Sequence, residues 1–426
     1  MVPNNPATDE GAHMNTGGLV HPDWLRRLNL FGDAVGSASL MVPLDPDEML
    51  ETAAGSVGCS DFGDEHGWET GYRAMVAALE ENAALTVFGR LSARGEILRN
   101  LQTRLRLVDL WQRHPSIRSE PVVAPVFILG PPRTGTSILL ELLALDPGLR
   151  PVIAHEAHHP LGPLPDTGDG TALQISEPEQ EFWADVHPEF ITMHELRSDL
   201  PCECLHFVQP EFRSWHWAMM HGLGDVESRH DTQAMTAIYA FHEGFLQTMQ
   251  YLDGEPQTFL LKSPAHLGSL PELLAQYPDA KLIHTHRDPL KFIGSSANLT
   301  GVLHWMRSDA VDMAGRGPLM TLAYQFMLSG VIAQRESGAV PAQQMADIHF
   351  VDLMSDPVGA IRRAYEHLNI PFPEEMAESV PAYLADKPKG KFGPHRYEAS
   401  RLGLDESRLR DDFSDYIDHY GVTLES

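Results

Sequence analysis

The sequence predicts an α/β fold: a parallel sheet flanked by helices, with an N-terminal helical leader and a helical insertion. Three observations predict it. Short apolar runs rich in β-branched residues occur at 121–129 (PVVAPVFIL), 259–262 (FLLK), 280–287 (AKLIHTHR) and 345–353 (MADIHFVDL). That is the texture of strands buried on both faces. A helical segment follows each run, and strands alternating with helices form parallel sheets through right-handed crossovers. Finally, the chain is helical in pattern from 22 to about 118 and again over about 182–252. Residues 1–20, rich in Asn, Gly, Thr and Pro, read as a flexible tail. Residues 21–120 read as the helical leader and 121–426 as the α/β domain.

The leader carries two clear helices. In 69–85, Tyr72, Met75, Leu79 and Leu85 fall near one face. In 93–115, Ile97, Leu98, Leu101, Leu105, Leu107 and Leu110 recur mostly at three- and four-residue steps. The arginines of this second helix read as a solvated face. The first strand leads through Gly130-Pro-Pro-Arg-Thr-Gly-Thr-Ser137 into ILLELLALDP, a helix stopped at Asp146-Pro147. The later strands lead into HLGSLPELLAQYP, PLKFIGSSANLTGVLHWM and PVGAIRRAYEHLNI. The insertion carries Trp183, Phe190, Phe212, Trp215 and Trp217. They suit an apolar or aromatic small-molecule or lipid partner, and packing within the insertion accounts for them equally well.

Composition narrows the function. The 426 residues hold 31 Lys and Arg against 59 Asp and Glu, a net charge of −28, with 43% apolar residues. Such a field repels a phosphate backbone, so nucleic acid is excluded as a general partner. A small anion requires a locally basic pocket. Three cysteines make no disulfide framework and point to a reducing, cytoplasmic setting. No secretory leader is visible, and no apolar run reaches the roughly 20 residues of a membrane span.

Gly130-x4-Gly135-Thr136-Ser137, between a strand and a helix, has a P-loop-like outline, presenting backbone N–H groups and a helix dipole to an anion. Thr136 stands where a P-loop has lysine, and the positive charge sits in the loop as Arg133. This suits one terminal phosphate-like group held without a metal.

The loop resembles the 5′-phosphosulfate loop of sulfotransferases that use 3′-phosphoadenosine 5′-phosphosulfate (PAPS), in the bacterial-type subgroup with Pro-Arg-x-Gly-Thr. Thr285-His-Arg287 through Ser295 resembles the family's 3′-phosphate segment, with an Arg ending a strand and a Ser eight residues later. Leu261-Lys262-Ser-Pro-Ala-His266 is similar to its strand-end lysine segment. Ser60-Asp-Phe-Gly-Asp64, Asn100-Leu-x-x-Arg-Leu, Lys387-Pro-Lys-Gly-Lys391, His395-x-Tyr397 and Arg401-Leu-Gly-Leu add looser likeness to the leader and C-terminal loop.

The resemblance implies transfer of a sulfuryl group from PAPS to an alcohol or phenol, releasing PAP. It places Arg133, Thr134, Gly135, Thr136 and Ser137 on the 5′-phosphosulfate, and Arg287 and Ser295 on the 3′-phosphate. It adds Lys389, Gly390 and Lys391 from a late loop and sets Lys262 on the leaving oxygen; no metal is expected. The acceptor's base falls on Glu156, with His155 as the alternative. Two rival readings stand: a P-loop-type small-molecule kinase, which lacks its lysine here, and a zinc hydrolase. His155-Glu-Ala-His-His159 fits H-E-x-x-H, although Pro160, Pro163 and Pro165 forbid the continuous helix such a site needs.

Overall fold

The computed structural model describes residues 19–63, 65–164, 170–223, 232–387 and 397–425. Most of the expected tail, and Lys389, Gly390 and Lys391, lie outside the described residues.

Five parallel strands form one sheet: β1 (Val126–Leu129), β2 (Arg150–Pro151), β3 (Phe259–Lys262), β4 (Lys281–His286) and β5 (Met345–His349), in the order β2-β3-β1-β4-β5. The period-2 alternation of a strand divides the core in two. Phe127, Leu129, Leu261 and Leu282 face helices Thr232–Asp253, Leu270–Gln276 and Pro289–Trp305. Val126, Ile128, Leu260 and Ile283 face helices Thr136–Leu143 and Pro357–Leu368. Both sheet faces are covered, as the unbroken apolar runs require.

The four expected strands are present, with corrected ends. The last run leaves the sheet at His349, because its neighbour β4 ends at His286, opposite it; Phe350–Ser355 turns helical instead. The two-residue β2 and the 24-residue helix Met313–Glu336 were not anticipated. The insertion opens earlier than expected, with helix Ala172–Val186.

Leader helices Trp68–Asn82 and Val87–Arg113 bury Tyr72, Met75, Leu79, Ile97, Leu101 and Leu105 together with Phe212 and Trp217 of the insertion. The arginines of Val87–Arg113 do not form the expected solvated face. Arg104 and Glu211 are each 3% exposed and paired at 2.9 Å, with the Arg104 guanidinium 4.5 Å over the Trp68 ring. Arg90 is buried against Glu80 and the Val42 carbonyl. Arg106 donates to the carbonyls of Leu161 and Gly162. Arg104 and Arg106 tie the leader to its surroundings and Arg90 ties it together from within, while Arg113, in the helix's last turn, stays solvated.

Candidate active site

Parallel strands bring their carboxyl ends to one edge, and ligands of such sheets bind there. Here that edge carries the loop after β1, Lys262 at the end of β3, Arg287 after β4 and Phe350 after β5.

Backbone conformation shapes the loop. Gly130 has φ +143°, and a Cβ there would overlap the Thr285 hydroxyl. Gly135, at φ +96°, caps helix Thr136–Leu143 and lies against Phe350. Arg133 takes a left-handed φ of +70°, and one guanidinium nitrogen donates to the Met193 carbonyl at 3.2 Å. Thr134 closes the loop from inside. Its hydroxyl meets the Pro131 carbonyl and the Thr285 hydroxyl, both at 2.6 Å, and its N–H bonds the Pro131 carbonyl at 3.3 Å. Thr134 therefore acts as a strut, its hydroxyl and its N–H both engaged within the loop. The first N–H groups of the following helix, which have no intrahelical partner, remain for a ligand.

A cavity of about 340 Å³ opens over this loop. Arg133, Gly135, Thr136, Ser137, Lys262 and Arg287 all line it, as do Phe350 and Lys387. Lys262 is 2% exposed; its Nζ lies 2.5 Å from a Glu203 carboxylate oxygen and 3.4 Å from the Ser137 hydroxyl. Burial pushes the Glu203 carboxyl up, but the Lys262 charge outweighs it and holds it below the usual carboxylate range. Arg287 lies 3.7 Å over the Phe350 ring. It donates to both Glu425 carboxylate oxygens, at 2.7 and 2.9 Å, and to the Arg133 carbonyl at 2.8 Å. Asp288, its sequence neighbour, pairs instead with Arg410 at 2.6 Å. Burial and then the Arg287 charge push the Arg133 guanidinium down from its ordinary value. Two guanidinium groups therefore line one cavity, Arg287 paired with Glu425 and Arg133 held to the Met193 carbonyl.

A second cavity of about 670 Å³ adjoins the first. Its walls are mainly apolar: Trp24, Phe88 and Leu91 of the leader, Trp183, Phe190 and Trp215 of the insertion, and Met320, Tyr324 and Met327 of the unanticipated helix. Of the five insertion aromatics singled out from sequence, Phe212 and Trp217 pack on the leader and the other three line the cavity. The residues lining both cavities include Arg133, Thr136, Ser137, His194, Glu203 and His206. Burial pushes His194 down from its ordinary value and His206 down to about 3, so both imidazoles are neutral at pH 7.

Glu156 and His155 lie elsewhere. Both Glu156 carboxylate oxygens take the Arg150 fork, at 2.6 and 2.8 Å, and one accepts the Ile153 N–H at 2.9 Å. Glu156 thus caps the five-residue helix Ala154–His158. The His155 ring bonds the Ser198 carbonyl at 2.8 Å, and His159 turns to Glu179 at 3.3 Å. Neither Glu156 nor His155 lines either cavity. The H-E-x-x-H pattern is dispersed over separate partners, since its helix ends at His158 before a second full turn. Ser295 is buried on helix Pro289–Trp305 and also lines neither cavity. Glu203 was missed by sequence reading. It lies 59 residues before Lys262, and its one signal is an isolated acid between two cysteines.

A model of the sulfotransferase family matches residues 125–374. Among curated proteins, the omega-hydroxy-beta-dihydromenaquinone-9 sulfotransferase Stf3 of Mycobacterium bovis is 26% identical over 348 residues, covering 75% of this chain and 83% of its own. Its Mycobacterium tuberculosis counterpart gives the same figures. Among solved structures, sulfotransferase STF9 from Mycobacterium avium aligns at TM-score 0.77 and 25% identity, over 89% of this chain and 97% of that one. Sulfotransferase STF1 from Mycobacterium tuberculosis shares the fold at TM-score 0.71 and 22% identity, over 87% and 98%.

Proposed function

This chain belongs to the sulfotransferase family, and from that premise we propose that it moves a sulfuryl group from PAPS to the hydroxyl of an apolar, lipid-like alcohol or phenol, releasing PAP. The observation that carries the reading is the junction of the two cavities. A small cationic chamber over a Gly-rich loop meets a large apolar one at Arg133, Ser137 and Glu203. Donor and acceptor would enter from opposite sides and meet there. The relative named for a hydroxylated menaquinone supports an acceptor of this class.

In this reading the acceptor oxygen attacks sulfur as the bond from sulfur to the bridging oxygen breaks. Charge develops on the equatorial oxygens and on the leaving PAP oxygen. Arg133 and the N–H groups of the Thr136 helix terminus face the equatorial oxygens, where positioned donors lower the barrier. Lys262 neutralises the leaving oxygen. Arg287, with its bidentate fork, takes the 3′-phosphate. The acceptor proton goes to Glu203. Without donor, Lys262 holds that carboxylate; when Lys262 turns to the bridging oxygen, Glu203 regains basicity where the acceptor hydroxyl arrives.

The test pairs calorimetry with turnover. PAP should bind without added metal, and PAPS should sulfate a long-chain hydroxylated quinone or phenol. Binding of ATP with Mg²⁺ but not of PAP would overturn the assignment.

A further inference from the structure

Away from the donor loop, three segments direct soft donors at one point. Cys204 opens helix Cys204–Phe207, His242 lies in helix Thr232–Asp253, and His266 lies in the turn after β3. All three are buried, at 2, 1 and 6% exposure, and their ligand atoms lie within 4.8 Å of one another. Among the described residues, Nε2 of His242 and Nε2 of His266 have no hydrogen-bond partner. Their other nitrogens are fixed: His242 Nδ1 meets the Tyr277 hydroxyl at 2.7 Å, and His266 Nδ1 meets the Tyr239 hydroxyl at 2.8 Å. The Ser269 hydroxyl in turn steadies Tyr239 at 3.0 Å.

This is the anatomy of a ligand set with its supporting shell. Metal-bound imidazoles use one nitrogen for the ion and the other for a partner that fixes the ring. Leaving two buried nitrogens unmatched is costly in an apolar core that includes Phe127 and Phe207. We propose that Cys204 Sγ, His242 Nε2 and His266 Nε2 hold one thiophilic d¹⁰ metal ion, zinc(II) or copper(I), as a structural site. Copper(I) with one thiolate and two imidazoles is electrically neutral and content with three ligands; zinc would add a water. A second cluster, buried His284 and His286 with the exposed Asp347, differs on the decisive point. Arg335 already supplies its cation, donating to both Asp347 oxygens at 2.6 and 2.9 Å.

The placement gives the ion a task. Cys204 follows Glu203 directly, and His266 lies four residues after Lys262. The ion would staple together the two segments that form the Lys262–Glu203 pair, without touching the transferred group.

The test is elemental analysis of the full chain purified under reducing conditions without chelator, followed by addition of Co²⁺ to chelator-stripped protein. The expected result is about one zinc or copper per chain, or a thiolate-to-cobalt charge-transfer band, either one abolished in Cys204→Ser. His242→Gln, which keeps the thiol, should also lose the ion and guards against a Cys204→Ser chain that fails to fold. Wild-type protein with neither metal nor cobalt band would overturn the proposal. So would metal content unchanged in both folded variants.

Discussion

Glu425 occupies the fork that the proposed cofactor needs. Arg287 donates to its two carboxylate oxygens at 2.7 and 2.9 Å, so PAP must displace Glu425 before its 3′-phosphate can take both bonds. Replacing the acid by Glu425→Gln removes the competitor's charge and leaves its backbone anchored. The Glu425 N–H still bonds Asp288 at 2.8 Å, and its carbonyl still accepts from Arg410 at 2.6 Å. Arg287 keeps its place over Phe350. Two fully buried charge-assisted bonds would be worth about 1.5–3 kcal/mol each. These side chains are 19 and 20% exposed, so solvent screening reduces the pair to about 1.4 kcal/mol. PAP should therefore bind roughly tenfold more tightly to Glu425→Gln. Calorimetry at two salt concentrations measures this, and the gain should shrink at high salt. The gain should also vanish in an Arg287→Ala background, which by itself binds PAP weakly. Equal or weaker PAP affinity in Glu425→Gln would refute both the competition and the assignment of Arg287 to the 3′-phosphate.

Glu203→Gln should lower kcat by about 10²–10⁴-fold with PAP affinity largely kept; full activity would remove Glu203 as the base. Glu156→Gln should instead lower the melting temperature through loss of the Arg150 fork and the Ile153 cap, with kcat in the folded enzyme unchanged. Arg104→Met should cost about 1–3 kcal/mol, because it takes the 2.9 Å bond from the Glu211 carboxylate at 3% exposure and leaves it the longer Arg213 pair at 3.3 Å, and the double change Arg104→Met with Glu211→Leu should recover part of it; urea titration of both variants beside the wild type reads this out. Stability should also fall in acid. His206 is pushed down to about 3 beside His216 and Glu203, and His221 to about 4 beside Glu96 and Arg307, both chiefly by burial. Their unfolded forms gain protons near pH 6.5 while the folded forms stay neutral, so stability present above that pH is lost as pH falls towards 4, by up to about 1.4 kcal/mol per pH unit for each group. A melting temperature that stays flat from pH 7 to 4.5 would contradict this.

The strands were legible because both faces of this sheet are covered, so each strand writes an uninterrupted apolar run. Helix Met313–Glu336 was not legible for the opposite reason. It contains Pro318 and three glycines, and it exposes Leu319, Leu322 and Phe326 on one side while burying Tyr324, Leu328 and Val331 on the other. A helix apolar on two sides has no single stripe to read. The same limit applies to the arginines of Val87–Arg113. Their spacing places them on the helix surface, but only the partner elements decide that Glu211 and the Leu161 carbonyl are waiting there.

The Gly-rich loop that lines the smaller cavity was legible because one local turn builds it. Arg133, Gly135, Thr136 and Ser137 lie in one strand–loop–helix, where backbone geometry couples spacing to function. The larger cavity is assembled from the leader, the insertion and the helices after β4, so no short window of sequence holds it. Glu156 shows how spacing alone leaves two roles open. Its position after the phosphate-loop helix suits a base, yet a carboxylate three residues into a helix is equally a cap, and Arg150 stands six residues before it to fill the other lone pairs. Two acids competed for one role, and the choice falls on their partners. Glu156 is bound to an arginine that has no other work at the site. Glu203 is bound to the lysine that the proposed reaction sets on the leaving oxygen, so in that reading donor binding itself would set it free. A base held in this way is ionised and occupied until the donor arrives, which couples deprotonation of the acceptor to the presence of PAPS.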